Sequence, residues 1–190
     1  LTARIAEHWS LDEMQVWLSA GADGAIDYLS RPFLEPGDEM LVPEPVFSYY
    51  PMSARYHHGE TSTYPVSKDA DFEQTAAGIL AAYDGERIVH VTTPHNPTGS
   101  TISHDELREL AERVDDHTLV VVDEAYGEYA AGPSAIELLE EYDNLAVLRT
   151  FSKAYGLAGL RVGYAAVPSA WADAYAKVNT PFAANEVACR

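Results

Sequence analysis

The chain has 190 residues, 47% of them hydrophobic, and 30 acidic against 12 basic residues give it a formal net charge of −18. That length and apolar content suit one domain or a large piece of one and exclude a disordered tail, and apolar runs such as 119–122 fall far short of the ~20 residues that cross a bilayer. The basic residues stand singly among acids, which excludes a nucleic-acid partner, and a single cysteine, Cys189, excludes an internal disulfide or a multi-cysteine metal site and reads as a small buried apolar residue.

Residues 1–9 carry the pattern of the end of an amphipathic helix. Residues 16–19 read as a short strand, and Gly21-Ala22-Asp23-Gly24 then leads into a helix at 25–33. A turn at Pro36-Gly37-Asp38 precedes a strand at 40–42, and the Tyr-rich stretch beyond it reads as irregular. Residues 87–92 predict a buried strand, because Ile88, Val89 and Val91 are β-branched and Pro94 stops the run. In the next helix Ser103 and Glu106 form a capping box. Leu107, Leu110, Ala111 and Val114 recur along one face, with Glu109, Glu112 and Arg113 on the other. Further apolar strands follow at 119–122, 145–148 and 161–167, and the chain stops at Cys189 and Arg190 with no closing element, so a partial chain is expected. No repeat or Gly/Ser-rich linker divides it. Alternation of this kind predicts an α/β fold in three layers, a mainly parallel sheet with helices on both faces, whose strand carboxyl ends build the ligand site.

Three polar clusters stand at those ends: Pro94-His95-Asn96-Pro97-Thr98-Gly99, Asp123-Glu124-Ala125-Tyr126 and Thr150-Phe151-Ser152-Lys153. An amide, an acid, a phenol, a hydroxyl, a lysine and a nearby arginine in one crevice suit pyridoxal 5′-phosphate (PLP). Its aldehyde needs the lysine, its pyridine nitrogen an acid that keeps it protonated, and its phenolate oxygen hydrogen-bond donors. Its phosphate needs arginine, hydroxyls and backbone N–H groups. Singly, the same residues have plainer readings: Lys153 on the surface, Asp123 as a helix cap, Asn96 in a turn, Arg161 in a surface salt bridge, Phe47 in the core. His57, His58 and His95 lack the spacing of a metal site, so solvated or capping roles and no metal are expected. The tyrosines at 49, 50, 56, 64 and 83 read as packing residues.

Asn96-Pro97-Thr98-Gly99, Asp123-Glu124-Ala125-Tyr126 and the run from Arg149 through Ser152-Lys153 to Arg161 occur together in the order and spacing of a known family. Over nearly its whole length the chain resembles the fold-type I PLP-dependent aminotransferases, and among them the histidinol-phosphate branch. The resemblance implies that Lys153 holds the cofactor as a Schiff base and moves the proton at the substrate's Cα. It implies that Asp123 partners the pyridine nitrogen, that Tyr126 and Asn96 bond the phenolate oxygen, and that Phe47 stacks on the ring. Ser152 and Arg161 would hold the phosphate together with the backbone of Ala22, Asp23 and Gly24, although the family commonly has glutamate where Gly24 stands. It further implies that 1–190 is the PLP-binding large domain without its N-terminal segment and C-terminal small domain, in a homodimer. The expected partners are a small-molecule amino donor and a 2-oxo acid, L-histidinol phosphate and 2-oxoglutarate, with no nucleic acid or membrane. Threonine-phosphate decarboxylase, another aminotransferase and a non-catalytic PLP-binding sensor are the alternatives. With no basic-then-apolar leader at its start, a cytoplasmic protein is expected, and the acid-rich, lysine-poor composition predicts a salt-adapted one.

Overall fold

A computed structural model describes residues 1–180 and 183–189; Arg190 lies outside the described residues. Its centre is the set of strands that the sequence marks most strongly. β4 (Ile88–Thr92), β5 (Leu119–Asp123) and β6 (Leu145–Thr150) are buried along their whole length. β1 (Val16–Ser19), β2 (Glu39–Glu44), β3 (Glu60–Pro65) and β7 (Gly163–Ala166) extend them into one seven-stranded sheet of order β1-β7-β6-β5-β4-β2-β3. β3, β2, β4, β5 and β6 pair parallel, while β7 runs antiparallel to both β6 and β1.

Side chains alternate across a strand, so each central strand supplies both faces of the sheet. Val120, Val122, Leu145 and Val147 pack on one face under α4 (Ala76–Ala82) and α5 (His104–Arg113), with α1 (Thr2–Trp9) beside them. Leu119, Val121, Ala146 and Leu148 pack on the other under α2 (Gly21–Phe33) and α3 (Tyr49–Tyr56), with α6 (Tyr175–Val178) contributing Val178. A short α7 (Glu186–Cys189) follows. The result is the expected three-layer α/β sandwich. Leu107 and Leu110 anchor α5 at 1% and 0% exposure. Each such burial contributes about 1.5–3 kcal/mol, against about 0.3–0.5 kcal/mol for an exposed helical pair such as Arg113–Glu109, so the apolar stripe holds the helix in place.

Several local expectations are corrected. The Tyr-rich stretch is ordered as α3, β3 and α4 rather than irregular. α2 begins at Gly21, so Gly21-Ala22-Asp23-Gly24 is its first turn and not a leader. Ser103 accepts the Glu106 N–H at 3.2 Å, but the Glu106 carboxylate turns away to the Ala76 N–H, making half a capping box and a clip between α5 and α4. The last strand starts at Gly163, which leaves Arg161 in a left-handed turn with φ 50°. Cys189 is half-buried rather than buried, and Tyr56 is exposed rather than packed. His95 is buried rather than solvated, whereas His57 stands at the C-cap of α3 with its ring 3.6 Å from Asp27, and His58 is exposed. Among the described residues no helix is long and apolar enough to cross a membrane.

Candidate functional site

A cleft of about 220 Å³ opens at the carboxyl ends of β4, β5 and β6, on the α2 and α3 side of the sheet. It gathers Ala22, Asp23, Phe47, Asn96, Asp123, Tyr126, Ser152, Lys153 and Arg161, nine of the ten residues singled out in the sequence. Gly24 is the tenth and does not line it. A Cβ there would face Ser19 Cβ at 3.3 Å, on the inner side of the helix. Tyr50, Thr92, Ala125, Thr150 and Ala158 complete the lining; Ala125 and Thr150 come from the polar clusters at the strand ends, while Tyr50, Thr92 and Ala158 are assigned no role in the site by the sequence. Thr92 pairs directly with Asp123 in the β4–β5 register, so strand pairing was the signal that could have found it.

The floor of the cleft is a buried acid. Asp123, 3% exposed, accepts the Tyr50 hydroxyl on Oδ2 at 2.7 Å and the Ala125 N–H on Oδ1 at 2.8 Å. Burial raises its pKa, and these two donors and the charge of Lys153 work against that rise. Opposite stands Lys153 on the exposed turn after β6, its Nζ 5.2 Å from the centroid of the Tyr126 ring. Below the lysine, Thr150 Oγ1 lies 3.0 Å from Ser152 Oγ.

One end of the cleft sets the start of α2 beside an arginine. α2 starts hard against β7: a Cβ on Gly163 would lie 2.6 Å from Gly21 C, 2.8 Å from Ala22 N and 2.9 Å from Arg149 O. Gly21 adopts φ +79° there, and a side chain on it would collide with the Arg161 guanidinium. The unpaired N–H groups of the first helical turn, with their share of the helix dipole, therefore stand beside an arginine. Arg161 Nη2 is 2.9 Å from Asp23 Oδ2 and 3.2 Å from Ala20 O, and Nη1 is 3.3 Å from Ala158 O, which fixes the fork and leaves further donors free to bind.

The other wall is a pair of loops tied by His95. Its Nε2 is 3.1 Å from Pro45 O and its Nδ1 2.9 Å from Thr98 Oγ1. Burial lowers its pKa, so the neutral ring donates from Nε2 and accepts at Nδ1. That tie holds Asn96 across the cleft from Phe47, whose ring meets Tyr50 edge-on at 5.5 Å.

A larger hollow of about 660 Å³ lies on the opposite face of the sheet, between Trp9, His104 and Arg149. Its charges are already spent: Arg149 bonds Glu124 at 2.7 Å and Glu128 at 2.8 Å beneath the Trp9 ring, and Glu124 also accepts from Ser134 Oγ and Ala135 N. Among the described residues no cluster of three or more His, Cys, Asp or Glu could hold a metal ion.

A lysine, a buried acid and an anion cradle at the strand ends of a mainly parallel α/β sheet define a cofactor-binding domain of the transaminase kind. The chain belongs to the aminotransferase class I and II family, whose model matches residues 1–190. It is 70% identical over 190 residues to the histidinol-phosphate aminotransferase of Haloquadratum walsbyi, covering 100% of this chain and 50% of that protein. Identity to the enzyme of the same name from Haloferax volcanii is also 70%, over 100% and 53%. The structure of histidinol-phosphate aminotransferase from Sinorhizobium meliloti in complex with pyridoxal-5′-phosphate superimposes with a TM-score of 0.85 at 30% identity, over 94% of this chain and 49% of that one. The chain spans about half the length of these relatives.

Proposed function

We propose that this chain is the PLP-binding large domain of a transaminase that exchanges an amino group between L-histidinol phosphate and 2-oxoglutarate. The observation that carries the reading is the convergence of Lys153, Asp123 and Arg161 on one cleft in a chain 70% identical to a protein named for that reaction.

The residues fit the cofactor. When bound, PLP supplies the electron sink that makes a substrate Cα–H bond labile. Lys153 Nζ would hold the aldehyde and, once displaced by the substrate amine, act as the base that takes and returns the Cα proton. Asp123 would hold the proton on the pyridine nitrogen, a task that needs a buried carboxylate already supplied with donors. Asn96 and Tyr126 would donate to the phenolate oxygen while Phe47 covers a face of the ring. Ser152, Arg161 and the N–H groups of Ala22 and Asp23 would take the phosphate. Gly24, whose N–H comes after the unpaired N–H groups of the first turn of α2, is given no part.

The same reading extends to the assembly and its setting. Tyr155 and Leu157, 53% and 41% exposed on the turn beyond Lys153, suit a surface that a second copy covers, hence a homodimer. The net charge of −18 and relatives from halophiles support a salt-adapted protein, and the biosynthetic relatives support a cytoplasmic one. The test is to load the full-length protein with PLP in high salt and supply L-histidinol phosphate, O-phosphothreonine or aspartate with 2-oxoglutarate. Glutamate formed fastest from L-histidinol phosphate supports the proposal. Release of carbon dioxide from O-phosphothreonine, or a preference for aspartate, overturns the substrate assignment.

A further inference from the structure

The tyrosines of this sequence read as packing, and Tyr50 is fully buried, yet its hydroxyl is placed for more than packing. It sits in the first turn of α3 and reaches across the sheet to Asp123 Oδ2 at 2.7 Å, and Thr92 Oγ1 lies 2.9 Å from the same phenol oxygen. A phenol has one proton, and an ionised carboxylate can only accept, so the Tyr50 proton goes to Asp123 and the Thr92 hydroxyl donates to Tyr50. The chain Thr92 → Tyr50 → Asp123 thus has a direction.

The ring is held as firmly as the hydroxyl. His90 stacks under it, centroids 4.3 Å apart and planes 20° from parallel, and Phe47 abuts its edge. His90 and Thr92 lie two residues apart on β4 and so point to the same face, where one grips the ring and the other the oxygen. With Ala125 N on Oδ1, each Asp123 oxygen carries one donor from the protein, and the carboxylate cannot rotate without breaking one of them.

We propose that Tyr50 is a positioning residue for Asp123: it fixes the carboxylate and keeps a lone pair aimed at the ring nitrogen of the bound cofactor. This rests on the cofactor reading above. A residue acting in this way matters only when the ligand has a nitrogen at that place, whereas a residue that merely packs matters for any ring of the same shape.

The two are separated by measuring, in the full-length protein, the affinities of parent and Tyr50→Phe for PLP and for its 1-deaza analogue, in which carbon replaces the ring nitrogen. Loss of one charge-assisted hydrogen bond behind the acid is expected to weaken PLP about tenfold and the deaza analogue less than about twofold. Thr92→Val, which leaves Tyr50 in place and removes its donor, is expected to show the same selectivity with a smaller loss, and it carries the test should Tyr50→Phe fold poorly by circular dichroism. Equal losses for both cofactors in both variants overturn the positioning role and leave the cofactor reading intact. Failure of the parent to bind either cofactor overturns both.

Discussion

Gly163→Ala adds one methyl group at the most crowded point beneath the anion cradle. Its Cβ would meet Gly21 C at 2.6 Å, Ala22 N at 2.8 Å and Arg149 O at 2.9 Å, whereas ordinary contacts begin near 3.4 Å. The shortfall at the nearest atom is thus about 0.8 Å. All three neighbours are backbone, so no side chain can rotate away and either α2 or β6 has to shift. Overpacking of this kind costs about 1–3 kcal/mol, and obstruction by two elements places this case at the upper end, about 3 kcal/mol. A first turn moved by that distance no longer aims its N–H groups at the phosphate, so the cofactor affinity falls by about tenfold or more. Urea unfolding and equilibrium dialysis of PLP measure the two effects on one preparation of the full-length protein. Gly37→Ala is the control: it also has a positive φ, +97°, but nothing lies within 4 Å, so it pays about 1 kcal/mol of backbone strain and leaves the affinity unchanged. A Gly163→Ala protein with the parent's unfolding midpoint and PLP affinity would refute the reasoning.

Burial holds His90 neutral, with its pKa lowered from 6.5 to about 3. A depressed histidine costs stability as pH falls from about 6.5 toward about 3, because only the unfolded chain takes up the proton, and by about pH 5 the loss is about 2 kcal/mol. His90→Phe is expected to lack that component when urea unfolding at about pH 7 and pH 5 is compared in high salt; an unchanged acid slope rules it out. Arg149→Met leaves the buried Glu124 without its cation, and the more exposed Glu128 without a partner for its carboxylate, and is expected to cost about 3–5 kcal/mol, whereas Arg149→Met combined with Glu124→Leu recovers most of it. Thermal unfolding reads both, and a single variant as stable as the parent contradicts the ion cluster's role.

The central strands were legible because both their faces are buried: 119–122 and 145–148 could not be solvent-facing and could be read from composition alone. Direction was not. Nothing in Gly163-Tyr164-Ala165-Ala166 says that β7 runs against its neighbours, since a strand buried on both faces looks the same either way. β3 escaped notice because it is an edge strand that buries only Tyr64, so its exposed polar residues hide its period. The cleft was legible in outline, because polar clusters at the ends of apolar strands converge in any parallel sheet. Tyr50 was not, because its partner Asp123 is 73 residues away and only the seating of α3 brings them together. Gly24 was expected to contribute only its backbone; with α2 starting at Gly21, its N–H comes after the unpaired N–H groups of the first turn.

The central claim is that Lys153 holds the cofactor rather than Lys68 or Lys177, the other two lysines of these 190 residues, or any lysine elsewhere in the full-length protein. The full-length protein, incubated with PLP, reduced with borohydride and digested, is analysed by mass spectrometry of its lysine peptides. The account predicts the pyridoxyl mass on the Lys153 peptide and on no other lysine peptide, and none on the active-site peptide of Lys153→Ala. Label carried by any other lysine instead, or a folded protein that takes up no label, would contradict it.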